Sequence, residues 1–74
     1  MPHISIKHFP AHLSQEDKDI LSLELTKVIT KMFGCREEVI SISLEPIEKE
    51  KWNKEVYFPE IKLKETLLIK LPNY

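Results

Sequence analysis

Within its first 47 residues this 74-residue chain switches hydrophobic period from two to about 3.6 and back to two. In "MPHISIKHFP", Pro2, Ile4, Ile6 and His8 share one face of an extended segment, and His3, Ser5, Lys7 and Phe9 share the other. Pro10 ends that strand, because a central strand cannot spare the amide donor that proline lacks. Ser14 then supplies the hydroxyl of a helix N-cap. Gln15, Glu16 and Asp17 put acceptors and negative charge into the first turn, where the helix dipole favours them. Asp17, three residues after Ser14, occupies the position where a capping box more often has Glu or Gln. Leu21, Leu25, Val28, Ile29 and Met32 follow at helical spacing as one apolar stripe. Gly34, the only glycine, suits the left-handed residue that closes a helix, and Lys27 and Lys31 lie near its negative end. The spacing predicts one helix from about residue 14 to about residue 33.

The stretch "EEVISISLEPI" alternates again, with Ile40, Ile42 and Leu44 on one face and Val39, Ser41, Ser43 and Glu45 on the other. Strand, long helix and strand predict two parallel neighbours joined by a right-handed crossover. Ile4, Ile6, Ile40, Ile42 and Leu44 are expected to pack on the helix stripe. Further on, "EKEKWNKEVYF" is expected to form a short helix bearing Trp52 and Val56, ended by Pro59. "ETLLIKL" reads as a short extended segment before "PNY" turns away. The fold class is α+β, a β-α-β unit with a short C-terminal helix or strand segment, in one domain over residues 1–74.

A domain of this size buries only about 60% of the surface its unfolded chain exposes. Cys35 is the only cysteine, which excludes an intramolecular disulfide and any zinc site built from several cysteines. Self-association is the remaining route to stability, and a symmetric homo-oligomer is its usual form. Two strands leave open edges, and Phe9 and Val39 lie on the second sheet face, so the sheets of two copies are expected to meet. The charges balance at 11 basic against 12 acidic residues, and "EKEKWNKE" alternates in sign, which argues against nucleic acid as a partner. No apolar run approaches the ~20 residues that span a bilayer. "MPHISIKHFPAHLSQEDK" lacks the basic and apolar regions of a signal peptide, so the cytoplasm is the expected compartment.

His3 and His8 point to opposite faces of one strand and cannot chelate one metal together; His12 lies in the loop beyond Pro10. No metal or cofactor is expected. Cys35 follows a helix C-terminus, where the dipole disfavours a thiolate, and reads as structural. Ser41 and Ser43 lie in a strand without the glycine pattern of a nucleophile elbow. Pro2 is the group with chemistry to offer. A start methionine is normally removed before a small residue, and Pro2 then becomes a secondary amine with a basic lone pair. It heads a strand and shares the face of Ile4 and Ile6, and Trp52, the sole tryptophan, offers a broad pocket wall.

The opening "MPHISIKHFP", the capped helix ending "FGC", "EEVISISLEPI", "KWNKEVYFPEI" and the closing "LLIKLPNY" together resemble the 4-oxalocrotonate tautomerase family. The likeness is strongest to its slightly longer, phenylpyruvate-tautomerase-like members and covers nearly the whole chain. The resemblance implies a β-α-β subunit assembled as a dimer or hexamer, the dimer being expected here. It also implies keto–enol tautomerase activity without a cofactor, and Pro2 as the proton-transfer base. Unperturbed α-amino groups have a pKa of about 7.7–8.0. Apolar burial lowers it, which suits a general base at neutral pH. Such a base takes the hydroxyl proton of a 2-hydroxyalkenoate and delivers one to carbon.

The family's best-known members place one arginine in the loop after the first strand and another within the second strand. Here His12 and Ser41 stand at those places, and the only arginine, Arg36, follows the helix. Without an arginine pair to clamp a diacid, an aromatic monoacid against Trp52 is the expected substrate, with Lys7 or a neighbour's lysine as a source of charge. The candidate site is therefore Pro2 as catalytic base, with Trp52, His12 and Ser41 binding substrate. Two alternatives fit the same scaffold: a non-enzymatic oligomeric module that binds a small molecule, and a hydratase or dehalogenase in which Pro2 activates water.

Overall fold

The computed structural model describes residues 1–74. Strand β1 (His3–His8) and strand β2 (Ser41–Pro46) pair in parallel, and helix α1 (Gln15–Phe33) makes the crossover between them. The register sets His3 opposite Ser41 and His8 opposite Pro46. Ile4, Ile6, Ile42 and Leu44 therefore share one face and are half-buried, whereas Ser5, Ser41 and Ser43 on the other are exposed.

Helix α1 starts and stops where its end residues dictate. The Asp17 amide donates to Ser14 Oγ at 3.1 Å and the Ser14 amide donates to Asp17 Oδ2 at 3.1 Å, so an aspartate closes the capping box. Gly34 takes a left-handed φ of 63° and its amide donates to the Thr30 carbonyl at 2.9 Å. Leu21, Leu25 and Ile29 form a half-buried row at four-residue spacing. Val28 and Met32 do not join it and remain 52% and 69% exposed. No residue of α1 is fully buried, and the only two buried side chains are Ile47 and Val56, at 5% and 6% exposure. The expected core of strand isoleucines and helix stripe is thus only half shielded. One helix covers a strip of a two-stranded sheet, and the row that includes Val28 and Met32 turns past its edge.

Three segments depart from the sequence pattern. Glu37–Val39 form a 3₁₀ turn, so β2 begins at Ser41. The Val39 and Ile40 amides donate locally to the Arg36 and Glu37 carbonyls, at 3.3 and 3.1 Å, before β1 can receive them. After a 3₁₀ turn at Lys49–Lys51, the chain enters a π-helix over Asn53–Lys62 that contains Pro59 and is not ended by it. In an α-helix a proline ring meets the carbonyl four residues back. The wider π coil relieves that contact, and the Leu63 amide reaches five residues back to the Phe58 carbonyl at 3.1 Å. Finally, "ETLLIKL" is not a strand: Glu65–Leu67 form a 3₁₀ turn and residues 68–74 pair with neither strand. A strand needs a ladder partner, and this tail instead carries Tyr74 to the indole of Trp52.

An ion pair between Lys7 on β1 and Glu60 on the π-helix pins the C-terminal segment to the sheet. Its hydrogen bond to the Glu60 carboxylate holds the Lys7 ammonium above its ordinary value of 10.5, outweighing an opposing effect of desolvation.

The result is a slab, 36 × 32 × 19 Å, two layers thick. It exposes 6374 Å², whereas a compact monomer of this mass exposes about 4,800 Å². The surplus of about 1,600 Å² is enough for one or two contacts of standard size, which remove about 800 Å² per partner. Phe9, Ile20, Leu23, Met32, Phe33 and Leu63 contribute to it. No helix is long and apolar enough to cross a membrane.

Two stability measurements check this fold. Ser14→Ala is expected to lower the unfolding free energy in urea by about 1 kcal/mol, since two amides lose their cap. Lys7 has its pKa raised on folding, so its contribution is complete below pH 10.5 and is lost as pH rises through the raised value. Denaturation curves followed from neutrality to beyond about pH 11 should show a steeper alkaline loss in the wild type than in Glu60→Gln.

Candidate active site

Three of the four expected site residues, Pro2, Ser41 and Trp52, lie in two clusters at opposite ends of β1. At its start, Pro2 is half-buried and its carbonyl accepts the Ser41 amide at 3.3 Å. The Ser41 hydroxyl in turn shares a hydrogen bond of 2.7 Å with His3 Nδ1. The strand register thus brings Pro2 and Ser41 together, with the hydroxyl held by a third residue.

At the far end of β1, Lys7, His8 and Phe9 meet Lys49 from the 3₁₀ turn, Trp52 and Asn53 where the π-helix begins, and Tyr74 from the tail. They surround an open hollow of about 610 Å³, within the usual range for small-molecule sites. The Trp52 ring is fixed from two sides. Phe9 packs edge-on against it, with centroids 5.0 Å apart and planes at 87°, and Trp52 Nε1 donates to the Tyr74 hydroxyl at 3.2 Å. Such an aromatic pair contributes ~0.5–1.5 kcal/mol beyond the area it buries. Tyr74 leans in turn on Tyr57, with centroids 5.7 Å apart. His8 Nδ1 donates to the Phe9 carbonyl at 2.7 Å, which orients the ring and leaves Nε2 free. Of the two lysines, Lys7 is committed to Glu60 and Lys49 forms no ion pair.

Pro2 and the hollow are separated along β1 by about 20 Å, six residues at ~3.3 Å each. Within one chain, Trp52 therefore does not stand beside Pro2. His12 is exposed in the loop between β1 and α1 and borders neither this hollow nor a second one of about 420 Å³ between α1 and Glu37. Arg36 is exposed and paired with Glu38, away from both clusters. Sequence reasoning missed Lys49, Phe9 and Tyr74. The three-residue spacing of Lys49 and Trp52 in a helical stretch was a usable signal for the first. Nothing local in the sequence points to Tyr74, whose place depends on the course of the tail.

No family model matches the chain. Curated relatives do, over all 74 residues and 97% of their own length. Tautomerase PptA of Pectobacterium atrosepticum is 43% identical, and the proteins of the same name from Cronobacter sakazakii and Shigella sonnei are each 38% identical. With the parallel β-α-β unit, this full-length similarity leads to one assignment: the chain belongs to the 4-oxalocrotonate tautomerase family.

Proposed function

We propose that the chain is a cofactor-independent keto–enol tautomerase acting on an aromatic, phenylpyruvate-like 2-oxo acid, with Pro2 as its base once Met1 has been removed. Family membership supports the isomerase class. The observation that carries the reading further is the setting of Pro2. It is half-buried at the head of a strand, and its carbonyl is tied to the neighbouring strand through the Ser41 amide. A secondary amine in that place has a fixed direction, and partial burial on the face of Ile4 and Ile6 favours its neutral form. Its nitrogen accepts the enol hydroxyl proton and returns a proton to C3, while the C2–O bond becomes a carbonyl. The Ser41 hydroxyl, held by His3, is the proposed contact for a substrate oxygen, and His12, from its loop, is proposed as a second.

The separation of Pro2 from Trp52 gives assembly a chemical purpose. A two-fold axis across the middle of β1 would set the two β1 strands antiparallel, so that each Pro2 meets the partner's aromatic hollow. The surplus surface of the slab supports such a pairing. A homodimer is the proposed working unit, with each site shared between two chains.

Intact mass of protein from cells should show a chain lighter by one methionine. Ketonisation of enol-phenylpyruvate, followed by absorbance, should fall about 10²-fold or more in kcat/KM for Pro2→Ala, and unchanged activity in that variant excludes the base. Pro2→Ala and Trp52→Ala chains, each slow alone, should regain roughly a quarter of wild-type activity when unfolded and refolded together, because each mixed dimer holds one intact site. No gain on mixing would mean that each site is built within one chain.

A further inference from the structure

The aromatic hollow contains two ammonium groups, and only one is free to bind. Lys7 is ion-paired with Glu60, which approaches from the π-helix. Lys49 lines the same hollow, and no carboxylate lies within 4.0 Å of its ammonium. Lys49 and Trp52 are three residues apart where the 3₁₀ turn runs into the π-helix, so both address the same side of the chain. The Trp52 ring is immobilised by Phe9 and Tyr74, whereas Lys49 ends a flexible four-carbon stem. A planar aromatic ring carrying one carboxylate on a short side chain is complementary to this pairing of a fixed ring and a movable cation.

We propose that Lys49 holds the carboxylate of an aromatic 2-oxo acid whose ring lies against Trp52, and that it is the residue that selects a monoacid. This rests on the tautomerase reading for the identity of the substrate, though not for binding as such. The contact is a charge-assisted hydrogen bond from a single ammonium, sufficient for one carboxylate. A second carboxylate on the ligand finds the other lysine already paired with Glu60, so the hollow offers it no free cation. Monoacid selection thus follows from the Lys7–Glu60 pair as well as from Lys49, and it requires no arginine.

Trp52 is the only tryptophan, so its fluorescence reports on the hollow directly. Wild type, Lys49→Gln and Lys49→Arg are titrated with cinnamate and with the uncharged cinnamamide. Wild type is expected to prefer the acid by about tenfold or more, Lys49→Gln to lose that preference, and Lys49→Arg to recover most of it. In the ketonisation assay Lys49→Gln should raise KM by about tenfold while kcat changes by less than about twofold. A preference for cinnamate that persists undiminished in Lys49→Gln, in protein with a wild-type unfolding curve, overturns the assignment. Lys49-dependent binding in a protein that ketonises no enol upholds the anchor and removes the tautomerase reading. Activity that depends on Pro2 and is indifferent to Lys49, in both KM and binding, does the reverse.

Discussion

One helix laid over two parallel strands can shield only one side of the sheet, and not all of that. The thin core and the broad exposed apolar surface both follow from that shortfall. Only two residues are buried, both from the segment that follows β2. The strand isoleucines and the Leu21–Leu25–Ile29 row stop at half burial. The hydrophobic gain from such a core, at ~25 cal/mol per Å² buried, is small beside the conformational entropy that folding removes. A slab of this kind has uncovered apolar faces that a second copy can cover, and the proposed reaction asks for the same sharing.

The two ends of β1 differ in character as well as in position. At the start lie a half-buried proline and a serine engaged by His3, a small polar arrangement fixed by the strand register. At the finish lie aromatic rings locked edge to face, one committed lysine and one uncommitted. In the proposed reaction the first end moves the proton, and the second holds the ring and the carboxylate. An extended strand keeps the two ends apart at a set distance, so the proposed reaction requires the symmetry of an assembly to bring them together. Ion pairing also divides the two lysines: the pair with Glu60 gives Lys7 a structural task, and Lys49 is left for a ligand.

The first 36 residues were readable because their structure is decided by neighbours in sequence. Ser14 and Asp17 bond to each other's amides, Gly34 supplies the positive φ, and the apolar positions repeat with the period of the element that holds them. The parallel pairing followed from the length of the crossover. The remainder was set by contacts that local patterns do not encode. Pro59 reads as a helix terminator under α geometry and becomes an interior residue only when the coil widens. The alternation from Glu38 onward looked like strand, but local 3₁₀ bonds claim the Val39 and Ile40 amides first, and the Ser41 amide is the one that reaches across to Pro2. "ETLLIKL" has the composition of a strand and no ladder partner in its own chain. Pro2, Trp52, His12 and Ser41 could each be named, yet which of them stand together depends on strand direction. That direction joins Pro2 to Ser41 and sends Trp52 to the opposite end.

The widened coil around Pro59 also constrains how this segment can change over generations. Removing one residue to tighten it into an ordinary helix would drive the pyrrolidine ring into a backbone carbonyl, at a cost of about 3 kcal/mol or more. That deletion is tolerable only after the proline has been exchanged, so the two events have a required order. It would also rotate Lys49 and Trp52 relative to Glu60, detaching the gripping end from its tether to the sheet. Length drift here is therefore penalised twice, once by sterics and once by misalignment, although the segment lies outside regular α-helix and strand.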